Sequence, residues 1–300
     1  MKLLSPAKVN LFLNVGPPRP DGYHDLTTLF ERIDLCDEIC LENLKKPGIE
    51  IRLSGIGRGL PSGPANLAYA AAKLVLDRLG PSGRRGIRIT IKKRIPVRAG
   101  LGGGSSNAAS VLLGLNSLWK IGFDRKTLIE MAGRLGSDVA FFVLEESFAT
   151  GQGRGEVLRA IHGKNIKIWH CLIKPKFGIP TKESYATLDA LIKARKLPKP
   201  SALTDPRHDA RMLLRSYQNG DAGGLSRRLT NSLELALLKR DTKISELKNQ
   251  LSGCGAMAAL MSGSGSSVFG IFAKKHQAQK AARILMTKEP AAQIFVAGTY

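Results

Sequence analysis

The sequence predicts an α+β protein of two domains. Short runs rich in β-branched residues are mixed with longer segments of helical periodicity, without the strict strand–helix alternation of a parallel sheet. The chain has 300 residues, which is enough for two ordinary domains with real cores. A glycine-rich patch, Gly151–Gly155, follows a predicted strand. We therefore place the domain boundary near residue 158 and expect domains at 1–158 and 159–300.

Five strands are predicted from short β-rich runs and five helices from apolar residues at helical spacing. The strands are Val9–Val15, Glu38–Leu41, Ile49–Leu53, Ile87–Ile91 and Ser147–Thr150. The helices are Asn66–Leu79, Ser106–Trp119, Asp124–Leu135, Thr181–Ala194 and Leu233–Leu251. Two further strand-like runs, Ala256–Leu260 and Val268–Phe272, flank a cluster of serines and glycines. A hairpin is the simplest interpretation of that segment.

Composition and charge narrow the possible functions. Hydrophobic residues make up 43% of the chain and charged residues 23%, which excludes wholesale disorder. No apolar run reaches the roughly 18 residues of a membrane-spanning helix, and the first residues lack the apolar block of a signal peptide. From these features we expect a cytoplasmic protein without a membrane partner.

The formal net charge of +22 favours anionic partners. The positive residues are scattered, however, and the basic segment Lys193–Lys199 contains no aromatic residues on which bases could stack. A solvated basic surface is the favoured interpretation, and nucleic acid is the less favoured partner.

The cysteine spacing does not indicate a metal site. The four cysteines (Cys36, Cys40, Cys171 and Cys254) form no C-x-x-C pair and have no matching histidine pair. We expect buried free thiols instead.

The strongest local signal is the glycine-rich segment Arg94–Ala109. Gly100 and Gly102–Gly104 place four glycines in five positions, which suits a loop whose backbone approaches a ligand closely. Such a loop before a helix gathers unpaired N–H groups and the positive end of the helix dipole, an arrangement that binds phosphate. We expect Ser105 or Ser106 to cap the helix. The segment lacks the Walker and dinucleotide patterns, and a flexible hinge is the alternative.

Other polar residues stand out within apolar surroundings. Lys8 lies in an alternating strand and should face solvent or a ligand. Asp138 directly precedes an apolar run, where a turn or N-cap role is the alternative to catalysis. His24 lies in a turn-rich segment, where a surface position is the alternative to ligand binding. The cluster Met261–Ser267 fits either a plain hairpin turn or an anion site lined by backbone amides.

Taken together, these motifs resemble the GHMP kinases. Pro96–Ser106 resembles the phosphate loop of that family. The segments Pro6–Leu11, Arg19–His24, Gly136–Asp138 and Met261–Gly265 resemble, in the same order, a branch that acts on a cytidine diphosphate derivative. The resemblance runs from residue 6 to about residue 272, nearly the whole chain.

The resemblance implies a two-domain GHMP kinase fold. Its N-terminal domain would resemble a ribosomal small-subunit protein and contain a left-handed βαβ crossover, and its C-terminal domain would be ferredoxin-like. It implies an enzyme that uses ATP and Mg²⁺ to phosphorylate the 2-hydroxyl of a diphosphocytidyl methylerythritol in non-mevalonate isoprenoid synthesis. Another small-molecule kinase of the family, or a catalytically silent basic protein that binds nucleic acid, remains the alternative. We expect a monomer or a weak homodimer.

The resemblance also implies roles for individual residues. Asp138 corresponds to the catalytic base and Lys8 to the lysine that pairs with it. Ser105 and Ser106 would face the phosphates and Mg²⁺ without a protein carboxylate cage. The implied substrate-binding residues are Asn10, Tyr23, His24 and Tyr185. The implied nucleotide-binding residues are Asn66 and Lys93 on the adenine side, with Pro96, Gly100, Leu101, Gly102, Gly103, Gly104, Ser105 and Ser106 in the loop.

Overall fold

A computed structural model describes residues 1–57, 59–80, 85–161, 166–194, 206–237 and 242–300. The chain folds into two compact units, each built from separate segments. Unit 1 comprises Met1–Ala7, Leu35–Val97 and Gly102–Glu146, and unit 2 comprises Lys8–Asp34, Arg98–Leu101 and Ser147–Tyr300. The sequential domain boundary near residue 158 stays a prediction.

Within these described ranges the chain forms ten strands and ten helices. The strands are β1 (Lys2–Pro18), β2 (His24–Leu44), β3 (Gly48–Gly55), β4 (Gly86–Lys93), β5 (Phe148–Gly153), β6 (Val157–Ala160), β7 (Trp169–Lys174), β8 (Ala258–Met261), β9 (Val268–Phe272) and β10 (Gln293–Gly298). The helices are α1 (Leu67–Leu79), α2 (Gly103–Leu118), α3 (Arg125–Leu135), α4 (Ser137–Leu144), α5 (Thr181–Lys193), α6 (Pro206–Gln218), α7 (Ala222–Arg228), α8 (Ser232–Leu237), α9 (Thr242–Gly253) and α10 (Lys275–Lys288). None of the described helices has the length and apolar composition needed to cross a membrane.

The predicted strands and the first four predicted helices are confirmed, although β1 and β2 extend to 17 and 21 residues. The predicted helix Leu233–Leu251 corresponds to α8 and α9, and residues 238–241 between them lie outside the described residues.

Helix α4 is not among the predicted helices, for a physical reason. Its five consecutive residues Val139–Val143 are all buried, so the sequence shows no amphipathic stripe there.

Unit 1 places helices against a small sheet. Strands β3 and β4 pair in parallel, with α1 between them in the chain, and β4 pairs antiparallel with Glu38–Leu44 of β2. This β3–α1–β4 segment is a βαβ crossover, and its left-handedness stays a prediction. Gly114 of α2 lies so close to β2 that an added Cβ would approach Leu41 Cδ1 to 2.5 Å. The missing side chain therefore lets α2 pack closely on the sheet.

Unit 2 confirms the ferredoxin-like expectation. Its four-stranded sheet has the order β10–β7–β9–β8, and all of its neighbouring strands are antiparallel. The chain runs from β7 through helices to the hairpin β8–β9, then through α10 to β10, which is the β-α-β-β-α-β pattern. The predicted hairpin around Met261–Ser267 is thereby confirmed. In the same unit, Leu26–Glu31 of β2 pairs with β5, which pairs with β6.

All four cysteines lie in the described residues, and none of them is in a disulfide bond. Cys36 and Cys171 are buried, as expected, whereas Cys40 and Cys254 are only partly buried. Burial raises the pKa of the Cys171 thiol to about 12, and the neighbouring Cys254 adds to the shift. Cys171 is therefore a packing residue without thiolate reactivity.

A buried acid and its partners join three segments of unit 2. Glu31 on β2 and His170 on β7 are both fully buried, with His170 Nε2 3.0 Å from Glu31 Oε2. The Thr299 hydroxyl donates to Glu31 Oε1 at 2.7 Å, and the Phe269 ring packs edge-on against His170 at 5.4 Å. Buried charges are tolerated only when they are paired and hydrogen-bonded. Glu31 therefore ties β2 to both β7 and the segment after β10.

We expect Glu31→Ala to lower the free energy of unfolding by about 3–5 kcal/mol, because it leaves His170 and Thr299 buried without their partner. Urea denaturation would measure this change. The control is Glu246→Ala, which removes an exposed carboxylate 3.3 Å from Lys243 and should cost less than about 1 kcal/mol. Equal small losses in both variants would contradict the structural role of Glu31.

Candidate functional site

The glycine-rich loop turns directly into α2. Gly102 adopts a left-handed conformation, with φ at 66°, and is the N-cap of a helix that begins at Gly103. The prediction of Ser105 or Ser106 as the cap is therefore wrong, because glycine reaches this backbone conformation without strain and the helix starts earlier. Ser105 is partly buried in the first turn. Ser106 is fully buried, and its hydroxyl accepts a hydrogen bond from the Ser5 hydroxyl at 2.8 Å.

The preceding part of the loop packs against the Ser/Gly turn between β8 and β9, within unit 2. The Ser262 hydroxyl donates to the Gly100 carbonyl at 2.9 Å, and the Ser267 N–H donates to the Ala99 carbonyl at 3.3 Å. Gly100 has a φ of 73°, and an added Cβ would lie only 2.0 Å from the Ser262 carbonyl oxygen. The two small-residue clusters that the sequence singles out are therefore in direct contact.

Lys8 and Asn10 lie beside these two segments. Lys8 is 3% exposed, so its solvent-facing alternative is wrong, and its Nζ donates to Asn10 Oδ1 at 2.6 Å. Asn10 Nδ2 donates to Thr28 Oγ1 at 2.8 Å, and the Lys8 N–H donates to the Leu101 carbonyl at 3.0 Å. A Cβ on Gly263 would lie 3.4 Å from Lys8 Nζ and 3.3 Å from Asn10 Oδ1. An ammonium group is thus fixed among closely approaching backbone segments.

Asp37, to which none of the sequence motifs points, anchors the start of the loop in unit 1. Its fully buried carboxylate forms an ion pair with Lys93 and accepts hydrogen bonds from the N–H groups of Arg94 and Ile95 at 2.7 and 2.9 Å. Asn107 of α2 donates to the same carboxylate at 2.8 Å. The carboxylate therefore joins the end of β4 to the first turns of α2.

Lys93 is held within the same network. Its Nζ also donates to Asn107 Oδ1 at 3.2 Å, and a Cβ on Gly103 would lie 3.0 Å from this Nζ. A second buried ammonium group therefore lies directly beside the N-terminus of α2. Of the remaining loop residues, Pro96 and Leu101 are buried and Gly104 is exposed.

Asn66 and Asp138 occupy helix starts in unit 1. Asn66 caps α1, accepting the Ala68 N–H at 2.9 Å and donating to the Pro61 carbonyl at 2.8 Å. Asp138 lies in the first turn of α4, whose N-cap is Gly136, so the N-cap alternative for Asp138 is wrong. Asp138 therefore lies at the positive end of the α4 dipole.

A cluster of aromatic and charged side chains in unit 2 surrounds His24. His24 is 8% exposed, so its surface alternative is wrong, and its Nε2 lies 2.9 Å from Asp189 Oδ1. The Tyr185 ring lies 5.0 Å from the His24 ring, at an angle of 46°. Tyr23 is 55% exposed, with the Arg154 guanidinium 4.8 Å from its ring centre. The structure thus brings His24 and Tyr185 together and adds Asp189 and Arg154.

The turn between β8 and β9 is itself held from α8 and the residue before it. Asn231 Nδ2 donates to the carbonyls of Met261 and Gly263, both at 2.8 Å. Glu234 accepts the Met261 N–H at 3.1 Å. Both side chains are buried, so they fix the turn that contacts Gly100.

Two family models match separate parts of the chain. The family model "GHMP kinases N terminal domain" matches residues 66–146, and "GHMP kinases C terminal" matches residues 213–291. A crystal structure described as L. major mevalonate kinase in complex with R-mevalonate is 14% identical and has a TM-score of 0.75 over 100% of this chain and 95% of that one. That likeness confirms the fold alone.

Nearer relatives extend over almost the whole chain. The protein named 4-diphosphocytidyl-2-C-methyl-D-erythritol kinase from Citrifermentans bemidjiense is 41% identical over 94% of this chain and 93% of its own. The protein of the same name from Pelotomaculum thermopropionicum is 38% identical over 99% and 97%. A crystal structure of 4-(cytidine 5'-diphospho)-2C-methyl-D-erythritol kinase is 33% identical, with a TM-score of 0.80 over 100% of both chains. The chain therefore belongs to the 4-diphosphocytidyl-2-C-methyl-D-erythritol kinases, within the GHMP kinase superfamily.

Proposed function

We propose that this chain transfers the γ-phosphoryl group of ATP to the 2-hydroxyl of 4-diphosphocytidyl-2-C-methyl-D-erythritol. The observation that carries the proposal is the buried His24, which lies against Tyr185 in a chain whose relatives are named for this cytidine substrate. An imidazole and aromatic rings suit a pyrimidine base, because they offer both hydrogen bonding and stacking. Tyr23 and Tyr185 would stack on the cytosine, and His24 would bind its edge.

The nucleotide would bind at the glycine-rich loop. Phosphate oxygens would accept hydrogen bonds from the N–H groups at the start of α2, where the helix dipole favours negative charge. Lys93, fixed by Asp37 and Asn107, would add positive charge beside that helix start. Asn66, at the start of α1, is the second residue proposed for the adenine side.

The donor set suits a Mg²⁺ ion that arrives with the nucleotide. The described residues contain no group of three or more His, Cys, Asp or Glu side chains placed to hold a metal ion. Mg²⁺ in kinases keeps several waters and binds mainly through phosphate oxygens, so a protein carboxylate cage is unnecessary. The Ser105 hydroxyl, in the first turn of α2, would contact the ion with Ser106 nearby. When bound, the ion would neutralise charge on the phosphates.

Asp138 is the proposed general base. Its carboxylate would take the proton of the 2-hydroxyl while that oxygen bonds to the γ-phosphorus and the bond from the γ-phosphorus to the ADP oxygen breaks. Lys8 would stabilise the negative charge that develops during transfer, and Asn10 holds the Lys8 ammonium in a defined position. Asn10 is also proposed to position the substrate.

The direct test of the proposed function is ADP release from Mg-ATP, measured with and without 4-diphosphocytidyl-2-C-methyl-D-erythritol. We expect release to depend on that substrate. Release that requires a different alcohol would redirect the assignment to another small-molecule kinase of the superfamily.

We expect Asp138→Asn to lower kcat by about 10²–10⁴-fold, because general base catalysis contributes that much. The Kd of ATP, measured by calorimetry, should change little. Wild-type turnover in this variant would remove Asp138 from the role of base.

Tyr23→Ala should raise KM for the cytidine substrate by about 10-fold or more, since one stacked base contributes about 1–3 kcal/mol. His24→Ala should raise the same KM by about 10-fold or more, because it removes the hydrogen bond to the edge of the base. KM for ATP serves as the internal control and should stay near the wild-type value. An equal rise in KM for the cytidine substrate and for ATP would mean that these side chains only support the fold.

Asp37→Asn should raise KM for ATP by about 10-fold, because it leaves the buried Lys93 without its counter-charge and releases the start of the loop. The matched control is Glu38→Gln, the same chemical change at the next position, where the carboxylate is 42% exposed and paired with Arg94. That control should leave KM for ATP nearly unchanged. Equal KM values for ATP in Asp37→Asn and Glu38→Gln would refute the positioning role of Asp37.

A further inference from the structure

The imidazole of His24 is held by a hydrogen bond with a fixed direction. Asp189 Oδ1 lies 2.9 Å from His24 Nε2, and an ionised carboxylate can only accept hydrogen bonds. Nε2 must therefore carry the proton. In a neutral imidazole the other ring nitrogen then has a free lone pair. In the described part of the chain, the hydrogen bond of this imidazole uses Nε2 and leaves Nδ1 for a ligand.

Two side chains on one face of α5 contact the His24 ring. Tyr185 and Asp189 are four residues apart on α5, so they project from the same face. The Tyr185 ring packs against the imidazole at 5.0 Å while Asp189 bonds to its edge. His24 is 8% and Asp189 22% exposed, so solvent competes only weakly for their hydrogen bond. Both the position and the tautomer of the imidazole are thereby set before any ligand arrives.

The tautomer determines which pyrimidine the ring can accept. Cytosine presents an amino group at C4, which donates hydrogen bonds, whereas uracil presents a carbonyl oxygen, which only accepts them. The Nδ1 lone pair can accept a hydrogen bond from the amino group of cytosine. With uracil it would meet a carbonyl oxygen, which is also an acceptor, and no hydrogen bond could form. A site built for a hydrogen-bond donor strongly rejects an analogue that lacks it.

We propose that Asp189 is a specificity-determining residue: by holding His24 in the tautomer with an acceptor at Nδ1, it makes the kinase select a 4-aminopyrimidine over a 4-oxopyrimidine. Asp189 acts through His24 and is a positioning residue rather than a catalytic one. The inference rests on the proposed function, because it takes His24 as the group that meets the base.

The test compares the cytidine substrate with its uridine counterpart, 4-diphosphouridyl-2-C-methyl-D-erythritol, in the wild type and in Asp189→Asn. An asparagine amide can donate to Nε2 as well as accept from it, so the variant permits the opposite tautomer. We expect the wild type to prefer cytidine by at least about 100-fold in kcat/KM, and Asp189→Asn to reduce that ratio by at least about 10-fold.

The control variant is Glu246→Gln, which removes one exposed carboxylate on α9 in the same unit and should leave the ratio unchanged. An unchanged Kd for ATP in Asp189→Asn shows that the variant is folded. A lower activity with an unchanged cytidine-to-uridine ratio would mean that Asp189 is merely structural, and it would overturn the inference.

Nitrogen-15 NMR of the His24 side chain tests the tautomer in the free protein, without any substrate. We expect a lone-pair-bearing Nδ1 and a protonated Nε2 in the wild type, and a mixture of tautomers in Asp189→Asn. A protonated Nδ1 in the wild type overturns the inference by itself.

The two measurements separate the inference from the proposed function. If neither pyrimidine substrate supports ADP release while ATP still binds, the proposed function fails, and the selectivity claim fails with it whatever NMR shows. If the cytidine substrate turns over but Asp189→Asn keeps the wild-type ratio, the proposed function stands and only the inference fails.

Discussion

The candidate site in unit 2 depends on backbone segments that approach one another more closely than side chains would allow. A Cβ at Gly100 would collide with the Ser262 carbonyl oxygen, and the same turn brings Gly263 next to Lys8 and Asn10. The hydrogen bonds between these segments form only at that distance. Asn231 and Glu234 fix the turn from the other side. The absence of side chains at two glycines thus permits the contacts on which the position of the Lys8 ammonium depends.

Unit 1 buries two opposite charges beside the glycine-rich start of α2. Taking Asp37 and Lys93 out of water is unfavourable unless every polar atom finds a partner. Asp37 meets this condition with one ion pair and three further donors, two of them backbone N–H groups. Because those N–H groups belong to the residues that lead into the loop, the same bonds that neutralise the buried charge also set the path of the loop.

The sequence predicts most of the regular structure, because periodicity and glycine content are local properties. It also predicts the glycine-rich loop, Lys8, His24 and Tyr185 through motifs. Asp37 and Asp189 could not be found in this way. Asp37 lies among other strand residues, its ion-pair partner is 56 positions away, and the partner of Asp189 is 165 positions away. A single acidic residue in a sequence is typical of an exposed surface charge, and only the fold shows which side chains lie next to it. The start of α2 was missed for a similar reason, since a glycine cap leaves no polar side chain to recognise.

The discontinuous make-up of the two units has a consequence for how the chain acquires its structure. All segments of unit 1 lie within the first 146 residues, whereas unit 2 needs Lys8–Asp34 together with residues synthesised after position 146. During translation, when the N-terminal part emerges first, unit 1 can be completed early. The Leu26–Glu31 part of β2 can pair with β5 only after β5 has been synthesised. The lysine proposed to assist phosphoryl transfer therefore reaches its final surroundings late in synthesis, because the turn that contains Gly263 beside it is made after position 146.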